Sequence, residues 1–293
     1  MIEIRDLDLS CLAGVRHLLV DIDDTVSTRG KLTAPAFAAL WQLHEAGFGV
    51  TVVTGRPAGW CDHIARFWPV EAVIGENGAF YFYYDGVKLR KRFVQGEAER
   101  REHRQRFEAL RARILVEVPG TALASDQPYR ESDLAIDFCE DVVPLPRPAV
   151  LRIKEIFEEA GAQAKISSIH VNGWFGEFDK LSTARLWARE RLDCDLDAER
   201  QAYVFCGDSP NDEPMFQFFP LSFGMANVRP FLSLMPHGPG YICDRECGAG
   251  FCEVAERLLQ SRVSEPRSLT AAATEDSRAP IRSPGSSEGA QPV

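Results

Sequence analysis

Short apolar runs alternate with helix-length amphipathic segments at both ends of the chain. The runs His17 to Val20, Val50 to Val53, Ala72 to Ile74 and Ala202 to Cys206 are continuous rather than alternating, which is typical of strands buried on both faces. Between the first two runs, apolar residues recur at helical spacing from Phe37 onward. Strands that alternate with helices predict a parallel, doubly wound α/β sheet, that is, a Rossmann-like core.

The pattern changes between about residues 80 and 175. An aromatic hairpin, a long charged helix, an alternating strand, a second helix and a further alternating run follow one another there, which predicts a separate α+β module on an antiparallel sheet. From about residue 264 the chain becomes rich in Ser, Pro, Ala and Gly, a composition that favours disorder. The expected organisation is a core of residues 1–80 and 176–262, an inserted domain of residues 81–175, and a disordered tail of residues 263–293.

Composition and charge argue against several classes of protein. The chain of 293 residues has 45% hydrophobic residues and a net charge of −10, which argues against a general nucleic-acid binder. No apolar run is long enough to span a membrane, and the charged N-terminus lacks the apolar segment of a secretory signal. Eight cysteines occur without a Cys-x-x-Cys pair, so neither a zinc site nor a disulfide framework is expected. We therefore expect a cytoplasmic protein that binds neither nucleic acid nor a membrane.

Polar residues follow three of the predicted strands directly. Asp21 and Asp23 come after the first strand, Thr54 after the second, and Asp208 after the fourth. Because the carboxyl ends of parallel strands meet at one edge of a sheet, these side chains should lie close together. Crowded carboxylates repel one another and lose hydration unless a cation joins them, and their hard oxygens suit Mg²⁺. The alternative interpretation of each motif alone is a solvated acidic turn or a capped helix start.

Four motifs follow one another along the chain. They are Asp21-x-Asp23-Asp24-Thr25, Thr54-Gly55-Arg56, Lys180, and Gly207-Asp208-Ser209-x-Asn211-Asp212. Their order resembles that of the haloacid dehalogenase superfamily. Gly75-Glu76-Asn77-Gly78-Ala79 is similar to the exit into the large cap of the Cof-like, type IIB branch, and the insert lies where that cap is found. The resemblance covers about residues 15–260.

This resemblance implies a Mg²⁺-dependent phosphatase and a role for each motif. Asp21 would be the nucleophile that forms an aspartyl-phosphate, and Asp23 the general acid and then the general base. Thr54 would bind a phosphoryl oxygen, and Lys180 would reduce the repulsion between Asp21 and the phosphate. The implied metal-binding residues are Asp21, Asp23 through its backbone carbonyl, Asp208 and Asp212. The implied substrate-binding residues are Gly55, Arg56, Asn77, His170, Asn172 and Asn211.

The residues themselves leave several alternatives open. A lysine that begins a helix, as Lys180 does, usually points into solvent. His170 and Asn172 share one face of a strand, which is either solvated or binds sugar hydroxyls. The branch includes sugar-phosphate phosphatases and phosphomannomutases, so a hexose phosphomutase is the alternative to hydrolysis of a sugar phosphate. A non-catalytic binding module is a third hypothesis, although it would not need paired aspartates. The expected oligomeric state is a monomer or a homodimer.

Overall fold

Two β-sheets and a short two-stranded ribbon organise the described part of the chain, which comprises residues 1–167 and 169–264 of a computed structural model. The strands are β1 Ile2–Glu3, β2 His17–Val20, β3 Ser27–Thr28, β4 Lys31–Leu32, β5 Gly49–Val53, β6 Ala72–Gly75, β7 Phe80–Tyr84, β8 Leu89–Phe93, β9 Ala122–Leu123, β10 Asp133–Asp137, β11 Gln163–Ile166, β12 His170–Trp174, β13 Tyr203–Gly207, β14 Ser222–Gly224 and β15 Tyr241–Ile242. The α-helices are α1 Ala34–Glu45, α2 Ala58–Phe67, α3 Glu97–Glu117, α4 Arg147–Glu159, α5 Lys180–Leu192, α6 Leu196–Glu199, α7 Glu213–Phe218 and α8 Cys247–Ser264. None of the described helices is long and apolar enough to cross a membrane.

The larger sheet is doubly wound, as the sequence predicted. Its strand order is β1-β15-β14-β13-β2-β5-β6-β7-β8, and every neighbouring pair from β1 to β6 is parallel. Successive residues of β2 face opposite sides: Leu18 packs in the cluster that contains α1 and α8, and Leu19 in the cluster that contains α5 and α7. Because both faces are covered, the strands have no polar face, which explains their continuous apolar runs. The predicted α/β fold class is confirmed.

The smaller sheet is antiparallel and has the order β11-β12-β10-β9. With α3 and α4 it forms what we call the small module, residues 97–174. Apolar residues such as Ile136, Ile153 and Val171 join one face of this sheet to its two helices. Since side chains alternate along a strand, the neighbours Asp137 and His170 point from the opposite face, toward the large sheet.

Three expectations about the strands were wrong. The hairpin of β7 and β8, expected in the insert, pairs with β6 and extends the large sheet. The single strand expected at residues 165–175 is a hairpin of β11 and β12, because Ser167 binds the backbone of His170 and turns the chain. The short apolar run Tyr241 to Cys243 predicts an edge strand, but β15 at this place lies one position inward, since the N-terminal β1 pairs with it.

The expected domain boundaries therefore agree only in part with the boundaries of the two sheets. Residues 81–93 belong to the large sheet, so the small module begins after the hairpin rather than with it. The tail expected to be disordered, residues 263–293, lies outside the described residues from 265 onward, while α8 reaches Ser264.

Candidate active site

Four charged side chains from three segments of the chain meet at the carboxyl edge of the large sheet. Asp21 and Asp208 follow β2 and β13, which are adjacent and parallel, so the sheet itself brings them together. Lys180, the first residue of α5, donates from Nζ to Asp21 Oδ1 at 3.1 Å and to Asp212 Oδ1 at 2.7 Å. One oxygen each of Asp21, Asp208 and Asp212 lies within 4.8 Å of the other two. All four side chains are buried.

Local backbone geometry fixes the acidic residues after β13. Asp212 Oδ2 accepts hydrogen bonds from the backbone N–H groups of Asp208 and Ser209, at 3.0 and 3.3 Å. Gly207 permits this turn, because a Cβ atom there would lie 2.5 Å from Asp212 Oδ2. Asp208 in turn accepts from Thr25 Oγ1 at 3.3 Å and from Asn227 Nδ2 at 3.1 Å. The spacing Gly-Asp-x-x-x-Asp is therefore one compact unit that holds two carboxylates toward the site.

Burial makes the ionised form of these acids costly. It raises the pKa of Asp21 to about 7, against the opposing effect of Lys180. Burial, and then the charges of Asp212 and Asp21, raise the pKa of Asp208 well above its ordinary value. Burial alone would lower the pKa of Lys180, but the attraction of Asp21 and Asp212 outweighs it and raises that pKa. The cluster therefore has more negative charge than one ammonium group balances.

This donor set fits a divalent magnesium ion. Three buried carboxylates within reach of one another offer only oxygen atoms, which are the ligands that Mg²⁺ prefers. Their raised pKa values show that a further positive charge would be stabilising at this point. Asp21, Asp208 and Asp212 are the residues that would hold it or surround it. The Asp23 side chain is not part of this cluster.

Asp23 is bound by Arg56 instead. The guanidinium of Arg56 donates from Nε and Nη2 to the Asp23 carboxylate at 2.8 to 3.1 Å, a bidentate pair. The same guanidinium contacts two acids of the small module, Asp126 at 3.4 Å and Glu140 at 3.1 Å. Arg56 is almost fully buried and lies over the ring of Trp60. It thus links the two parts of the molecule through the predicted acid–base residue.

The site is also lined by Thr54, Gly55 and Asn77, which contribute backbone atoms as well as side-chain atoms. Thr54 Oγ1 accepts from the Arg56 N–H at 3.1 Å, and Gly55 O accepts from Arg130 Nη1 at 2.9 Å. Asn77 has a φ of +55°, and its backbone N–H donates to Thr54 O. Its buried Nδ2 has no hydrogen-bond partner among the described residues. This unpaired donor, which packs against Gly55, is available to bind an oxygen atom of a ligand.

The polar face of the small module covers this edge. His170 and Asn172 are buried rather than solvated, and both line a cleft with Asp21, Arg56 and Asn211. The sequence did not single out Arg130 for this site, although it lines the cleft too. Arg130 pairs with Asp126 and with Asp133, to which Asn172 also donates. Arg130 is absent from the predicted site residues, because nothing local in the sequence distinguishes a buried arginine from a solvated one.

The cleft is nearly closed. Its free volume is about 20 Å³, roughly the room for one water molecule. We expect a phosphate ester to need more space than this arrangement offers. The family architecture leads us to expect hinge positions near Gly78 and Gly176. Gly176, with a φ of +113°, lies in the connection that leaves the small module, whereas Gly78, with a φ of +109°, lies between β6 and β7 within the large sheet.

Comparison with known proteins supports the same family. Residues 18–100 match the family of haloacid dehalogenase-like hydrolases. No curated protein sequence matches the chain significantly. Among solved structures, a protein from Thermoplasma acidophilum is 17% identical, with a TM-score of 0.62 over 83% of this chain and 98% of its own.

Two phosphatases have similar structures. Sucrose-phosphatase from Synechocystis, solved with sucrose and phosphate, is 15% identical, with a TM-score of 0.58 over 83% of this chain and 97% of its own. A phosphatase of the haloalkanoate superfamily from Bacteroides thetaiotaomicron is 18% identical, with a TM-score of 0.56 over 85% of this chain and 96% of its own. At these identities the likeness establishes the fold. The family match over residues 18–100 and the fold shared with these structures both agree with the resemblance that the motifs predicted.

Proposed function

We propose that the protein is a Mg²⁺-dependent phosphatase that hydrolyses a small phosphorylated metabolite, a sugar phosphate in particular. The observation that carries this proposal is the position of Lys180 Nζ between Asp21 and Asp212, next to Asp208. A binding module would not need a buried nucleophile-lysine pair beside a cluster of acids. Phosphoryl transfer needs this combination, because an anionic nucleophile must approach an anionic phosphate.

Asp21 performs the first displacement. One of its carboxylate oxygens attacks phosphorus, the bond from phosphorus to the ester oxygen breaks, and an aspartyl-phosphate forms. Lys180 donates a hydrogen bond to Asp21 and balances part of the negative charge at this position. A water molecule then attacks the same phosphorus, the bond to Asp21 breaks, and inorganic phosphate leaves. A bound Mg²⁺ would supply further neutralisation of the phosphoryl oxygens.

Asp23 handles the proton in both displacements. It gives a proton to the departing alkoxide and then takes one from the attacking water. In the closed structure the Asp23 carboxylate is held by a bidentate pair with Arg56. We propose that this pair separates when a substrate moves the small module away from the core, which frees Asp23 to reach the leaving group.

The polar cleft supports a hydroxylated leaving group. It is lined by His170, Asn172 and Arg130, and two of the similar structures are a sucrose-phosphatase and a sugar phosphatase. A mutase of the same fold would isomerise a hexose phosphate without net release of phosphate. None of the eight cysteines, all of them described, forms a disulfide, which fits a reducing compartment. We propose that the protein works in the cytoplasm, as a monomer or homodimer.

Phosphate release from p-nitrophenyl phosphate tests the reaction. We expect release with Mg²⁺ and loss of it with a chelator, and we expect Asp21→Asn to abolish it because an amide is a poor nucleophile. Asp62→Asn, which makes the same change on the exposed face of α2, is the matched control and should stay active. Full activity in a folded Asp21→Asn protein would overturn the assignment. A panel of hexose phosphates, read for free phosphate and for isomers, separates phosphatase from mutase.

A further inference from the structure

Glu140 occupies a fixed position at the edge of the cleft. It follows β10, where the carboxylate of Asp137 accepts the backbone N–H groups of Cys139, Glu140 and Asp141 at 2.8 to 2.9 Å. Three such bonds lock the loop that presents Glu140. No motif in the sequence distinguishes this glutamate, which belongs to none of the groups of predicted site residues.

The two oxygens of Glu140 bind two basic groups that line the cleft. Oε1 accepts from Arg56 Nη2 at 3.1 Å, and Oε2 lies 2.9 Å from His170 Nε2. His170 and then Arg56 hold the pKa of Glu140 down, at about 2, despite partial burial. Glu140 is therefore ionised at neutral pH and places a negative charge beside both basic groups.

The positive charge of Arg130, the second guanidinium in the cleft, is also balanced by carboxylates. Arg130 pairs with Asp126 and Asp133, and Asp126 also contacts Arg56. On the side of the cleft formed by the small module, no described guanidinium is left without a carboxylate partner. A leaving group with a second phosphate or a carboxylate would have to lie beside these acids without a free cation, which is unfavourable in a desolvated cleft. An uncharged, hydroxylated group meets no such repulsion and can share the existing hydrogen bonds.

We infer that Glu140 is a specificity-determining residue that excludes substrates whose leaving group is anionic. The inference rests on the proposed phosphatase function and adds to it: the substrate class is a phosphate monoester of an uncharged, hydroxylated compound. It also disfavours a bisphosphate activator, which a mutase would need to bind on the same side.

Two esters that differ in one carboxylate provide the test: glucose 6-phosphate and 6-phosphogluconate. The wild type should prefer the first in kcat/KM. Glu140→Gln keeps the size of the side chain but releases Arg56 and His170 from a negative charge, so the preference should shift toward 6-phosphogluconate by about tenfold, the value of one partly solvated charge pair. Glu155→Gln removes the same charge from the exposed face of α4 and should leave the ratio unchanged.

A binding measurement separates this inference from the proposed activity. The affinities of the two esters for Asp21→Asn and for the double variant Asp21→Asn/Glu140→Gln, measured by calorimetry, should give the same shift without turnover. An active enzyme with an unchanged ratio, or an affinity ratio that Glu140→Gln does not alter, would overturn the inference about Glu140. An affinity shift in a protein that never releases phosphate would support Glu140 and reject the phosphatase. If neither ester binds, the inference about Glu140 is rejected, while phosphate release from p-nitrophenyl phosphate still decides the phosphatase.

Discussion

Lys180 begins a helix, where most lysines extend into water, yet its side chain is buried between two carboxylates. Asp179 and Ser182 form a reciprocal cap that fixes the start of α5, so the direction of the following side chain is set by the helix. The carboxylates then compensate the buried ammonium, which would otherwise be costly. A single residue thus joins the two sequence motifs at Asp21 and Asp212.

Replacement of Lys180 by glutamine tests this role. Without the ammonium group Asp21 and Asp212 repel each other, and Asp21 faces the phosphate unassisted, so kcat/KM should fall by about a hundredfold or more. The measurement is phosphate release with Mg²⁺, with circular dichroism to confirm folding. Lys154→Gln, on the exposed face of α4, should retain activity. A folded Lys180→Gln enzyme with nearly normal kcat/KM would contradict the role.

At the scale of elements, one carboxylate connects the small module to the core. Glu76 follows β6 with a φ of +45°, a conformation that costs about 1 kcal/mol or more for a residue with a side chain. Its fully buried carboxylate accepts the backbone N–H groups of Ala58 at 2.9 Å, Glu131 at 2.9 Å and Ser132 at 2.6 Å. The first donor begins α2 and the other two lie in the small module. These bonds offset the strain and hold the module against the core.

We predict that Glu76→Gln lowers the free energy of unfolding by about 2 kcal/mol, because its amide group places a donor against buried N–H donors. Urea denaturation measures this loss, and hydrogen exchange at Ser132 should become faster. Glu131→Gln is the control, since the exposed Glu131 side chain can change while its backbone N–H remains. Equal stability of Glu76→Gln and wild type would show that Glu76 does not hold the two parts together.

At the scale of the whole molecule, a buried histidine in β2 makes the stability of the folded protein depend on pH. His17 lies between the rings of Trp187 and Tyr203, and its Nε2 is 2.9 Å from Thr51 Oγ1. Burial, and secondarily the charge of Arg16, lower its pKa from 6.5 to about 3. The folded protein therefore keeps His17 neutral where the unfolded chain is protonated.

Because the unfolded chain binds the extra proton, stability should fall as the pH drops below 6.5 toward 3. For His17 this loss is about 2 kcal/mol between about pH 6.5 and pH 5. Urea denaturation at several pH values measures it, and His17→Gln should have a flatter dependence over the same range. A variant whose pH dependence is as steep as that of wild type would assign the effect to other groups.

The sequence alone located the strands, the order of the motifs and the acids at the strand ends. These features are local or follow from topology: a continuous apolar run predicts a doubly covered strand, and parallel neighbours place Asp21 and Asp208 at one edge. The lysine position came from the family resemblance. The hairpin of β7 and β8 was assigned to the wrong sheet, because its pattern predicts two strands but not which edge they pair with.

Only the tertiary structure determined which groups the polar residues contact. Nothing in the sequence around Arg56, Arg130 or Glu140 shows that they meet, since the partners lie 70 to 84 residues apart and on different sheets. Their pairing depends on how the small module docks on the large sheet. Charged side chains favour solvent unless a partner arrives from elsewhere in the fold, so only the docked arrangement determines which of them become buried, matched and available for a substrate.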